Sequence, residues 1–268
     1  MWQFQIEEAK KTGQFYLCRA VVTDVRRDAI VALLRGNENI TALVLIGCDI
    51  TFNNTLEYIA DALRTNTFLI KLALRCTSIG HDDFVDNGQK HVKALAEAIG
   101  ANRALTNLDL FENYIDDTGA RFIADALKTN TILSTLDLTN NYIKDEGLAA
   151  IAEALKTNKS LTELNLRGNK IQDATALADV LKTNKTLTKI NLALTWTGIE
   201  CTRVFADALK TNSNLIELDL GYTEGSDECY AVREEIAKSL EMNARLAKLQ
   251  KTSLFRSVKT RDDCGVEC

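Results

Sequence analysis

The stretch LTNLDLFENYIDDTGARFIADALKTN (residues 105–130) is followed almost at once by a near copy, LSTLDLTNNYIKDEGLAAIAEALKTN (133–158). A third copy opens as LTELNLRGNKI (161–171). The leading leucines, Leu105, Leu133 and Leu161, stand 28 residues apart. The phrase ALKTN closes units at 126–130, 154–158 and 208–212, with variants ALRTN at 62–66 and VLKTN at 180–184. A phrase that returns at a fixed interval is structural punctuation.

Each copy opens LxxLxL, and that alternation predicts a short strand with one buried face. Next comes Asn113, Asn141 or Asn169, whose amide can bond the turning backbone, and an isoleucine two residues later tucks the turn inward. The remainder predicts a helix. Ile123, Ala124, Ala126 and Leu127 fall on one face, with Asp125 and Lys128 outside. ALKTN is then the last helical turn and the exit into the next strand: Lys suits the helix C-terminus and Asn helps the chain reverse.

One strand and one helix cannot bury their own apolar faces, so the units must stack. The pattern resembles the leucine-rich repeat proteins, in particular the ribonuclease-inhibitor-like class of strand-and-helix repeats. It is also similar to the repeat arrays of cytosolic nucleotide-binding immune receptors. The resemblance implies an α/β right-handed solenoid, a horseshoe arc with a parallel sheet on the concave face and helices on the convex face.

Residues 1–39 are expected to form an N-terminal cap, with a helix over 24–37 and a possible strand within 13–22. Residues 40–250 are expected to hold about seven repeats, starting near 40, 69, 105, 133, 161, 187 and 215, with a partial eighth at 246 (LAKL). A helix is expected over 227–243 with Ile236, Ala237 and Leu240 inward, and a mobile tail over 251–268. The fifth repeat has a shortened helix, and the second carries an insertion around GHDDFVDNGQKH.

Composition narrows the function. A formal charge of −5 and a 46% apolar content describe an ordinary folded chain without a bulk basic field, so nucleic acid is not an expected partner. No run approaches the length of a membrane-spanning helix. Seven scattered cysteines without CxxC spacing suit free thiols in a reducing compartment, and the expected location is cytoplasmic. There is no P-loop, nucleophile elbow or HExxH, and neither catalysis nor a cofactor is expected.

The expected activity is protein recognition by the concave strands and the strand-to-helix loops, with a monomer as the default state. Alternation places Asp109, Asp137 and Asp219 in one outward column with Ala73, Asn165 and Asn191. Arg75, Phe111, Glu112, Asn140, Arg167 and Tyr222 follow just after the strands, and Trp196 stands at the rim. The aromatics among them suit interface anchors. The insertion holds both histidines, His81 and His91, around Asp83. That spacing matches no metal signature, so no metal is assigned and the loop is read as a partner contact. The resemblance also implies two narrower possibilities. One is a GTPase regulator similar to the Ran GTPase-activating protein, whose family usually ends in a long acidic tail, whereas this tail is net basic. The other is an actin-end-binding domain similar to the repeat domain of tropomodulin.

Overall fold

The computed structural model describes residues 2–36, 39–51, 54–81, 89–221 and 227–262, with the backbone alone for 2–4, 227 and 251–262. The chain opens with helix α1 (Trp2–Thr12), strand β1 (Gln14–Cys18) and helix α2 (Asp24–Gly36). Seven strand-and-helix pairs follow. They are β2 (Ala42–Ile46) with α3 (Thr55–Thr65), β3 (Lys71–Arg75) with α4 (Gln89–Ala101), and β4 (Asn107–Asp109) with α5 (Asp117–Thr129). Next come β5 (Thr135–Asp137) with α6 (Asp145–Thr157), β6 (Glu163–Asn165) with α7 (Thr175–Leu181), and β7 (Lys189–Asn191) with α8 (Ile199–Leu209). The last pair is β8 (Glu217–Asp219) with α9 (Asp227–Asp262).

All eight strands lie in one parallel sheet in chain order. Their register aligns the repeated leucines: Leu72, Leu108, Leu136 and Leu164 are direct neighbours across the sheet. Each is nearly or fully buried, beneath helix residues such as Ile123, Leu127, Ile151 and Leu155. The solenoid is thus one continuous core with the helices on its convex side. Each seam adds apolar area that a lone unit leaves in water.

Two polar devices lock the repeats together. At the helix exit, the Asn130 amide donates to the carbonyls of Ile99 and Asn102, and its Oδ1 accepts from the N–H groups of Ile132 and Leu133. Asn102, Asn158 and Asn212 repeat that four-bond pattern, while Asn66 and Asn184 make three of its bonds. The asparagine of ALKTN therefore does more than turn the chain: it satisfies carbonyls of the unit before and N–H groups of the strand after. The second device is a cap lent between repeats. Lys144 precedes α6 and makes no side-chain cap. The Asp117 carboxylate of the preceding unit accepts from Lys144 N and Gly147 N instead, at 2.8 and 2.9 Å. A Cβ at Gly147 would stand 2.6 Å from that oxygen, which is why the helix start carries glycine.

The C-terminus departs from expectation. Residues 246–249 are helical, so the expected eighth repeat has no strand there, and α9 continues into the expected tail as far as Asp262. LxxL spacing also suits a helix face. Here no apolar residue follows at the sixth position and no glycine or proline interrupts 227–262. Asn243 keeps the seam bonds, donating to the carbonyls of Asn212 and Leu215, while the chain around it stays helical. Within α9 Ile236 is buried and Leu240 is half-buried, whereas Ala237 faces solvent. The shortened helix of the fifth repeat, α7, has 7 residues. The centre of the second-repeat insertion, including Asp83, lies outside the described residues.

Candidate binding face

The outward column on the concave sheet begins as local turn chemistry. From Asp109 onward each member folds its side chain onto the N–H two residues ahead. Asp109 takes Phe111 N, Asp137 takes Thr139 N and Asn165 takes Arg167 N. Asn191 takes Ala193 N and Asp219 takes Gly221 N. This is the Asx turn, and it ends each strand as the chain leaves the sheet. The column also runs along the sheet at one step, where the Asn165 amide donates to Asp137 Oδ2 at 3.2 Å.

The second carboxylate oxygen is where the members differ. Arg75, two residues beyond Ala73 and beside Asp109 on the next strand, donates from Nε to Asp109 Oδ2 at 2.6 Å and also approaches with its terminal nitrogen. The position equivalent to Arg75 is Phe111 beside Asp137 and Ala193 beside Asp219. Neither Asp137 nor Asp219 makes an ion pair among the described residues. Lys189 spans its neighbours, with Nζ 3.5 Å from Glu163 and 3.3 Å from Glu217. The Glu217 hydrogen bond, then the two charges, hold this exposed ammonium above the ordinary lysine value. Across β5 to β8 these side chains line an open groove of about 620 Å³.

Beyond the strands the backbone turns through a left-handed residue at the same register in six successive repeats: Gly47, Cys76, Glu112, Asn140, Gly168 and Leu194. Each of the first five donates its N–H to the next repeat, as Glu112 N does to the Thr139 carbonyl. Glycine and asparagine suit that conformation, and leucine does not. Leu194 nevertheless holds φ 55° and is 62% exposed, two residues before Trp196, which is 72% exposed.

Two residues after each left-handed position lies the rim. There Tyr114 and Tyr142 stack with centroids 5.6 Å apart. His81 meets Tyr114 edge-on at 4.9 Å, and the Lys170 ammonium sits 4.2 Å from the Tyr142 centroid. The tyrosine pair escaped the sequence reading. Its signal was the repeated NYI, in the same register that places Trp196 at the rim.

The remaining expected residues divide. Phe111 is half-buried, and Glu112, Asn140 and Arg167 are exposed. Tyr222 lies outside the described residues. The two histidines separate: His81 joins the rim, whereas His91 is buried in the first turn of α4 with Nδ1 2.8 Å from Glu57 of α3. His91 is therefore not part of an exposed loop, because the helix already begins at Gln89. Among the described residues no group of three or more His, Cys, Asp or Glu is placed to hold a metal ion. Burial pushes the Cys48, Cys76 and Cys201 thiols above the ordinary value, away from the thiolate that a nucleophile needs.

Stacked units of one parallel strand and one helix, repeating the LxxLxL leucines and the turn asparagine, define a leucine-rich repeat solenoid. The leucine-rich repeat family model matches residues 101–124, 129–152 and 157–178. Among solved structures, leiomodin-1 actin-binding site 2 is similar at 20% identity over 78% of this chain and 98% of its own, with a TM-score of 0.47. The tropomodulin C-terminal domain of Caenorhabditis elegans is similar at 16% identity over 74% of this chain and 98% of its own, also at 0.47. No curated protein matches the sequence. No helix among the described residues is long and apolar enough to cross a membrane.

Proposed function

We infer that this chain is a recognition module that binds a protein partner across its concave sheet and adjoining rim, without chemistry of its own. One observation carries the reading. The interior columns repeat the same residues unit after unit, whereas the outward positions at the same register change from Ala73 to Asp109, Asn165 and Asp219 while the backbone beneath them stays regular. A surface held this rigidly loses little conformational entropy on binding, and its affinity follows from shape and charge. Arg167 and the exposed Trp196 are of the residue types enriched at interface centres. No disulfide joins the described cysteines, in keeping with a reducing, cytoplasmic setting.

The test is affinity capture from a lysate with three proteins of equal thermal stability: the wild type, Phe111→Ala/Arg167→Ala on the concave side, and Tyr142→Ala/Trp196→Ala on the rim. Purified actin and a panel of small GTPases run as separate arms for the two narrower possibilities. Loss of a partner with the concave variant supports the reading. Capture equal across all three proteins overturns it.

A further inference from the structure

We propose that the groove over β5 to β8 takes an extended partner segment carrying two cationic side chains, arginine in preference to lysine, spaced four residues apart. This rests on the concave-face reading and names the chemistry of what that face accepts. The molecule itself supplies the model for the contact. Arg75 shows how a guanidinium reaches this column: it comes from the adjoining strand and takes the carboxylate oxygen that the Asx turn leaves over. Asp219 has the same oxygen left over, and at Asp137 that oxygen receives only the neutral Asn165 amide. Beside both carboxylates the place of Arg75 is filled by a residue without charge, Phe111 or Ala193.

The groove favours a cation further along its length. Its lining carries four carboxylates, from Asp137, Glu163, Glu217 and Asp219, against the single ammonium of Lys189, a formal charge of −3. Lys189 already shows a cation held between two of them. Spacing then follows from the sheet. Asp137 and Asp219 are separated by three strand steps, roughly 14 Å at the usual interstrand distance, which an extended chain covers in about four residues. Arginine suits the contact because its planar fork can bring two N–H donors to the one free carboxylate oxygen, as Arg75 does with Nε and a terminal nitrogen on Asp109 Oδ2.

The experiment measures fluorescence anisotropy at low ionic strength with labelled eleven-residue Gly/Ser peptides. One carries Arg at positions 4 and 8, one at 4 and 6, and one Glu at 4 and 8. The wild type is compared with Asp137→Asn/Asp219→Asn and with Asn165→Asp/Asn191→Asp. Asp137→Asn/Asp219→Asn keeps residue types that the column already holds, so its circular dichroism and melting should match the wild type. Asn165→Asp/Asn191→Asp loses the Asn165 donor to Asp137 and should melt lower with its circular dichroism unchanged. The expected result is tightest binding of the 4,8-arginine peptide, about tenfold weaker with Asp137→Asn/Asp219→Asn, tighter with Asn165→Asp/Asn191→Asp, and weaker with added salt. Equal binding to wild type and Asp137→Asn/Asp219→Asn, no binding, or no preference for the 4,8 spacing overturns the proposal. A captured partner that needs Phe111 and Arg167 but whose contact segment lacks such a pair overturns it too, and leaves the concave-face reading standing.

Discussion

Two polar columns run the length of this solenoid, and each is written once per repeat. One is the helix-exit column of Asn66, Asn102, Asn130, Asn158, Asn184, Asn212 and Asn243; the other is the concave column from Ala73 to Asp219. The first keeps asparagine at every step, and each member is at most 5% exposed. The second accepts alanine, aspartate and asparagine. The difference lies in what surrounds the side chain. An amide at the seam donates up to two hydrogens to carbonyls on one side and accepts N–H groups on the other, and no other side chain of that size offers two donors with a separate accepting oxygen. On the concave face one accepting oxygen suffices for the turn, and the rest of the side chain is left to face a partner.

The sharpest way to break the comparison is to put the freely exchanged residue into the fixed column. Asn130→Asp would set a carboxylate against the Ile99 and Asn102 carbonyls in a buried seam. It should destabilise by about 4 kcal/mol or more, read by chemical denaturation. A loss below 1 kcal/mol would make the column as tolerant as its concave counterpart. Asn130→Ala is milder. It leaves two carbonyls and two N–H groups without their partner and should cost about 2–4 kcal/mol. At the edge of the concave face the sign should reverse. Leu194→Asn gives the left-handed position a residue that Asn140 shows it accepts, and should raise stability by about 0.5–1 kcal/mol, seen as a higher Tm. A lower Tm would mean that the exposed leucine packs usefully in the free protein. The smallest effect belongs to Asp137→Asn, expected within about 0.5 kcal/mol of wild type because the same column holds Asn165 and Asn191.

Much of this was legible in the sequence because it obeys short periods. The strand alternation located the concave column correctly at Asp109, Asp137, Asn165, Asn191 and Asp219. The helical phrase located Ile123, Ala124, Ala126 and Leu127 on the buried face. The misreadings came where a pattern served two structures at once. LAKL fits a strand opening and a helix face equally, and the lack of an apolar sixth position and of any glycine or proline around it separated them. His91 looked like a loop residue because its neighbours in sequence, rather than Glu57 on the adjoining helix, framed it.

What the sequence determined by itself was the period, and with it the unit, the stacking and the face on which variation falls, since a single strand and helix with one apolar side each can satisfy themselves only against copies. What the tertiary structure alone decided was which side chains of different units meet: Asn130 with carbonyls about thirty residues back, Asp117 with the helix after it, Tyr114 with Tyr142, and Arg75 with Asp109 but no equivalent with Asp137. Those contacts depend on a strand-to-strand distance of about 5 Å and on the direction of each side chain. Neither is written in any one repeat.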